Sequence, residues 1–265
     1  MKTTIYCFSA TGNSLKLARD VQSALGDCDV VSIAQALRGH DLPRPGERIG
    51  LVFPVFAWGL PRMVVDFVER LDLRHARYIF AITTCVAIPG NTLRELQSRL
   101  EAKGSFLHAG FAVSASRSSL MKLNRLDKIM IRIDGHRKDM RRGEERLHEI
   151  VEKIRELKEL PPESSSWAAN TFGSMFHGPA LKRFRNMDAQ FMVDESCGGC
   201  GTCVKVCPRA NIRLNDGHPV FKHDCELCHA CIQWCPRFAI RHPGFDAKPR
   251  QYHNPAIQVA DMVHP

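Results

Sequence analysis

Eight of the eleven cysteines fall in two copies of one spacing, and no other feature constrains the fold as tightly. Cys197, Cys200, Cys203 and Cys207-Pro208 are followed by Cys225, Cys228, Cys231 and Cys235-Pro236. Both runs read C-x2-C-x2-C-x3-C-P, the pattern that wraps thiolates around a [4Fe–4S] cubane, with the last cysteine of each run serving the other cluster. The expected ligand sets are therefore Cys197, Cys200, Cys203 and Cys235 for one cluster, and Cys225, Cys228, Cys231 and Cys207 for the second. A structural zinc site uses two cysteine pairs and has no need of a third closely spaced cysteine before Cys-Pro. A disulfide framework is the other alternative, but nothing else in the chain looks secreted.

A chain of 265 residues has room for one large or two ordinary domains, and 44% hydrophobic residues is normal for a globular core. The apolar run Ile49–Leu60 is broken by Pro54 and too short to span a bilayer. No small-residue cleavage site follows a hydrophobic stretch near the N-terminus, so no signal peptide is read. Cluster ligands and three further cysteines, Cys7, Cys28 and Cys85, fit a reducing, cytoplasmic compartment. The net charge is +9, and the stretch Arg117–Lys158 is rich in both signs, with Arg137-Lys138 and Arg141-Arg142 on the basic side. A solvated helix face is the plain reading of that stretch; a docking surface for an acidic redox partner is the sharper one. No nucleic-acid-binding pattern accompanies the basic residues. A homodimer stays open.

The first part of the chain alternates strand and helix signals. Lys2–Phe8, Asp29–Ile33, Ile49–Phe53, Arg77–Thr83 and Phe106–Val113 read as strands. Asn13–Leu25, Leu60–Leu71 and Asn91–Leu100 carry helical spacing, and Leu126–Leu160 reads as one or two charged helices. Such alternation predicts an α/β fold, a doubly wound parallel sheet covered on both faces, over residues 1–160. Pro161-Pro162 and a Ser run break the pattern. Residues 161–190 read as a linker or amphipathic bridge, 191–242 as a small double-cluster module with an internal repeat, and 243–265 as a tail wrapping the surface.

A second chemical signal follows the first strand. Ser9, Ala10, Thr11, Gly12, Asn13 and Ser14 lead directly into the first helix. Such a loop offers N–H groups at a helix N-terminus, together with hydroxyl and amide side chains, and its natural ligand is a phosphate monoester. It is neither a Walker A motif nor a dinucleotide fingerprint. Simple helix capping would need only one of these polar residues. Two further loops follow strands: Pro54, Val55, Phe56, Ala57, Trp58 and Gly59 after Phe53, then Thr84, Cys85, Val86 and, further on, Asn91. Trp58 can serve as a core anchor or as a flat partner for an aromatic ring. Beside a phosphate loop, the ring reading is preferred, and FMN fits.

These motifs resemble known ones. Residues 1 to about 160 are similar to a flavodoxin-like domain, the loop Ser9–Ser14 resembling its FMN phosphate element. Residues 191–242 resemble a bacterial-type 2[4Fe–4S] ferredoxin, a small α+β unit. Together with Phe53–Pro61, Cys225–Pro236 and Tyr252-His-Asn-Pro255, the whole resembles the flavodoxin–ferredoxin fusions of the EFR1 family. The resemblance implies FMN, two clusters and electron transfer. One departure is Val86-Ala87-Ile88, where family members often carry a Gly-rich loop.

The leading expectation is an electron carrier coupling one-electron clusters to a flavin that takes one or two electrons. An FMN-dependent reductase of a small molecule, such as a quinone or nitro compound, ranks second, because no acid–base constellation stands out. A nucleic-acid-binding redox sensor ranks last. His223, His229 and His242 read as surface or tuning residues, His229 with the option of raising local positive charge. Trp234 reads as a shield for a cluster.

Overall fold

The structure, a computed structural model, describes residues 1–39, 44–86, 88–115, 143–245 and 251–263. The first part of the expected helix Leu126–Leu160 and most of the basic stretch Arg117–Lys158, including Arg137-Lys138 and Arg141-Arg142, lie outside the described residues, as does Ala87.

Five strands form one parallel sheet. They are β1 (Thr3–Cys7), β2 (Cys28–Ser32), β3 (Arg48–Pro54), β4 (Tyr78–Cys85) and β5 (Ala109–Ser114), in the order β2-β1-β3-β4-β5. All four pairings are parallel, with Thr3 opposite Cys28 on one side and Arg48 on the other. That order is the flavodoxin-like doubly wound arrangement. β4 is buried along its whole length and β3 over all but Pro54, as their near-continuous apolar runs demand for a sheet covered on both faces.

The coverings are α1 (Asn13–Leu25), α2 (Ile33–Arg38), α3 (Arg62–Arg70), α4 (Thr92–Glu101) and α5 (Gly143–Arg155). α1 and α5 close one face through Leu17, Ala18, Val21, Ile150, Val151 and Ile154. α3 and α4 close the other through Met63, Val64, Phe67, Leu93 and Leu96. Each set repeats at three- and four-residue spacing, the stripe a sheet-covering helix needs.

The region read as a linker is largely one helix, α6 (Trp167–Arg185), with Pro179 inside it. Ser166 starts it by accepting the Ala169 N–H. Its aromatics were legible in sequence, but Gly173, Gly178 and Pro179 hid the helix, because each lowers intrinsic helix propensity. α6 joins the two halves. Phe172 meets Trp58 edge-on at 6.3 Å. A Cβ on Gly173 would stand 2.9 Å from Trp58 Cβ, so only glycine permits this approach. At the far end Phe184 packs with the cluster module, and Arg185 O accepts the Cys225 N–H.

The C-terminal module is built from very short pieces: β6 (Met192–Val193), α7 (Thr202–Lys205), β7 (Ile212–Asn215), β8 (His218–Phe221), α8 (Ala230–Gln233) and β9 (Ile240–Arg241). β6 pairs antiparallel with β9, and β7 with β8. Among the described residues, no helix is long and apolar enough to cross a membrane.

Candidate functional site

The two cysteine runs fold as one backbone plan used twice. Gly199 and Leu227, in matching places between the first two cysteines, both hold positive φ, as do Gly201 and His229 just before α7 and α8. Ala210 and Phe238, three residues after Cys207 and Cys235, do the same at φ 49° and 51°. Asn211 N donates to Cys207 Sγ at 3.3 Å, and Ala239 N donates to Cys235 Sγ at 3.4 Å. Leu227 N adds a third such bond, to Cys225 Sγ at 3.2 Å. Amides aimed at sulfur stabilise thiolates and tune whatever they hold.

The cysteines do not gather run by run. Cys197, Cys200 and Cys203 line one cavity together with Cys235 from the second run. Cys225, Cys228 and Cys231 line another together with Cys207 from the first. Among the described residues, no three Cys, His, Asp or Glu side chains converge as one metal ion would require. Four sulfurs ringing a cavity instead fit a cluster, whose irons and sulfides fill the space between them.

Charge chemistry points the same way. As free thiols, Cys228 and Cys231 are pushed far above the usual range by burial and by neighbouring cysteines. Burial lifts Cys225 to about 12 and Cys203 to about 11. Four thiolates are tolerated in such a cavity only around a cationic core. Cys200 differs: it is exposed, and the Thr202 hydroxyl, 3.4 Å from its Sγ, holds it below the ordinary thiol range.

The second cavity faces the parallel sheet. Arg38 Nη2 donates to Cys207 O at 2.7 Å. Glu226, between two cysteines of the run, accepts the Met63 N–H at 3.1 Å, so the cluster module supplies the first turn of α3 with an acceptor. Arg62 reaches Asp224 at 3.0 Å, while Arg209 bridges Asp224 at 2.8 Å and Asp66 at 2.6 Å. Cys228 packs both with the core of the sheet half and with a small cluster containing Ala10.

At the carboxyl ends of the strands lie the loops singled out in the sequence. In an open sheet of this order, ligands bind where the connections diverge, between β1 and β3. Ser9, Ala10, Thr11 and Ser14 are buried there. Ser9 Oγ accepts the Gly12 N–H at 3.1 Å, and Ser14 Oγ lies 2.8 Å from Thr84 Oγ1. Two of the polar side chains are thus occupied in shaping the loop. Gly12 sits at φ 92°, and no side chain caps α1 from that position. An uncapped first turn beside the Thr11 hydroxyl fits a phosphate group.

Phe56 and Gly59 exchange both backbone hydrogen bonds around Ala57 and Trp58, which have φ 46° and 62°. This is a type I′ geometry without its usual glycines, and such backbone costs about 1–3 kcal/mol per residue. α6 holds it in place: His177 Nδ1 lies 3.1 Å from Ala57 O, and His177 Nε2 lies 3.4 Å from Glu95 Oε2. The β4 loop is tied in, since Asn91 N donates to Trp58 O at 3.1 Å and Val55 N to Thr84 O at 3.0 Å. Pro54 and Val55 are half-buried, Cys85 is buried with its thiol pushed up to about 12, and Val86 is exposed. Cys7 and Cys28 are buried strand residues.

Two readings of single residues change. His229 is buried, and burial pushes its imidazole down to about 3, so it is neutral and adds no positive charge. Trp234 reaches past the module, donating from Nε1 to Ala10 O at 2.9 Å and stacking on His253. His177 and Glu226 carried no signal in the sequence, because their partners lie 120 and 163 residues away.

Comparison with known proteins gives one family match. Residues 192–213 match the 4Fe–4S binding domain, so the chain carries an iron–sulfur module. No curated protein sequence matches the chain. Among solved structures, it is similar to oxidised flavodoxin 1 from Bacillus cereus, at 15% identity over 49% of this chain and 92% of that one, TM-score 0.34. It is also similar to an FMN-dependent NADH-azoreductase from Bacillus anthracis in complex with FMN, at 10% identity over 58% and 99%, TM-score 0.36. A third is rubredoxin oxygen:oxidoreductase from the anaerobe Desulfovibrio gigas, at 13% identity, TM-score 0.35, covering 59% of this chain but only 36% of that one. All three scores are low, and the flavodoxin-like fold stands on the strand order itself.

Proposed function

We propose that this chain is an electron-transfer flavo-iron–sulfur protein of the flavodoxin–ferredoxin fusion type, the EFR1 family. Two [4Fe–4S] clusters would exchange single electrons, and FMN one or two, when bound. The observation that carries the reading is the cavity of Cys207, Cys225, Cys228 and Cys231, of which Cys228 packs on the core of the sheet half and on the small cluster containing Ala10. Cys197, Cys200, Cys203 and Cys235 would hold the other cluster, nearer solvent. Arg62, Arg209 and Glu226 orient the module on α3, and α6 braces the Trp58 loop against it. A fixed relation of this kind turns an encounter between redox sites into an intramolecular step.

Thr11 and the first turn of α1 would bind the phosphate, and Trp58, Val86 and Asn91 would border the ring. The test is composition and selectivity. Protein purified without oxygen should hold about eight irons per chain. Flavin-depleted protein should prefer FMN to riboflavin, and Thr11→Ala should weaken FMN binding by about 1.5–3 kcal/mol. Four irons after full reconstitution, or thiolate-bound zinc in their place, would refute the two-cluster reading. Steady turnover of a quinone or nitro compound by the reduced protein would move the reading to the reductase.

A further inference from the structure

The loop between β1 and α1 is fastened from outside by distant chain. Tyr252 Oη donates to Asn13 Oδ1 at 2.8 Å, and Asn254 Nδ2 donates to the same oxygen at 3.1 Å. The Asn254 main-chain N–H donates to Thr11 O at 2.8 Å. Ile257 packs with Ala10, and a Cβ on Gly12 would meet Ile257 at 3.0 Å and Asn254 at 3.1 Å. The cluster module adds a second fastening through the Trp234 indole, bonded to Ala10 O and stacked on His253 with centroids 4.2 Å apart.

Every one of these bonds takes an acceptor of the loop: Ala10 O, Thr11 O and the side-chain oxygen of Asn13. In a trans peptide the carbonyl and the following N–H point to opposite sides. Fixing Ala10 O therefore turns the Thr11 N–H to the other side of the loop, and fixing Thr11 O steadies the next peptide, whose Gly12 N–H is bonded within the loop to Ser9 Oγ. Holding Asn13 by its side-chain oxygen also keeps that side chain from folding back onto the start of α1. The strap thus keeps the loop in the form that suits an anion.

We propose that Tyr252, Asn254 and Trp234 are positioning residues for the flavin phosphate, so that phosphate recognition belongs jointly to both halves of the chain. This rests on the FMN reading above. The strap residues touch the loop and act through it.

The test compares FMN and riboflavin binding to the flavin-depleted, cluster-loaded full chain by fluorescence titration. The double substitution Tyr252→Phe with Asn254→Ala removes two side-chain hydrogen bonds to Asn13 and should lower FMN affinity roughly tenfold. Trp234→Phe and Tyr252→Phe alone should each lower it roughly threefold. Riboflavin affinity should stay within about twofold, because the strap acts where the phosphate sits. Loosening of the whole fold would instead weaken both ligands alike, and that outcome overturns the proposal. Unchanged FMN affinity in all variants of a protein that prefers FMN overturns the strap alone. A wild type that binds FMN no better than riboflavin overturns the phosphate-loop reading, and the strap with it.

Discussion

The two halves of this molecule reach order by different means. In the sheet half, five strands and their helices bury Tyr6, Phe8, Phe53, Phe67, Phe80 and Phe111 almost completely. Its order is written in apolar side chains. In the cluster module the helices are four residues long and two of the strands only two. Three of the nine buried residues at its centre are cysteines of the two runs, so much of its cohesion must come from what those cysteines hold. The backbone differs in degree: among the described residues, six non-glycine residues of the short module hold positive φ, against three in the longer sheet half. Leu227, His229, Ala210 and Phe238 sit at positive φ, a cost that persists only where surroundings over-determine the conformation. Low intrinsic order on one side is bearable because the other side is a rigid platform.

The largest expected effect breaks the comparison outright if it fails. Chelating the iron should unfold the module, since binding energy in such domains is folding energy. Hydrogen exchange should then show residues Met187–Phe245 losing protection while amides of β1 to β5 keep it. Equal loss in both halves would make them one cooperative unit. Next in size is Phe67→Ala, at a fully buried ring packed on Tyr6 with centroids 4.6 Å apart. It should cost about 3–5 kcal/mol in denaturant unfolding of the sheet half. Iron content should not change; loss of iron would mean that the core of one half supports the other.

Arg209→Ala sharpens the boundary between the halves. It removes charged hydrogen bonds to Asp66 and Asp224, a loss of about 1.5–3 kcal/mol. Faster amide exchange at the start of α3 and in the Asp224 loop, with both interiors still protected, is the expected pattern. The smallest effect is a pH slope confined to the sheet half. His108 Nδ1 accepts the Ile79 N–H at 3.0 Å, and burial depresses its imidazole below the ordinary value of 6.5. The folded form therefore refuses a proton that the unfolded chain accepts. The stability this contributes is present above the ordinary value and is lost as pH falls through the depressed one. Denaturant midpoints measured from about pH 7 down to about pH 5 should fall, and His108→Gln should flatten the trend.

How far each part was legible in the sequence follows from how local its physics is. The cysteine spacing is local, and the fold answers it with one backbone plan used twice and two cavities that each take the last cysteine of the other run. The strand–loop–helix at Ser9–Ser14 is local too, as are the runs of β3 and β4. α6 was missed because Gly173, Gly178 and Pro179 suit its packing against Trp58 at the expense of propensity. The bond made by Trp234 was out of reach for a different reason. Its spacing places it beside Cys235, while its indole bonds to Ala10, 224 residues away. Positive charge at His229 was an inference from residue type, and burial reverses it.

The strap also sets an order in time. Tyr252 and Asn13 are 239 residues apart, so at ordinary rates of synthesis roughly 12 to 48 s separate their appearance. Throughout that interval a growing chain carries the β1–α1 loop uncovered, with its carbonyls open to water. The β1–α1 loop reaches its final form only after both cysteine runs have been made. Biogenesis of the sheet half is therefore finished by the cluster half and its tail, and a chain released before them leaves with its β1–α1 loop incomplete.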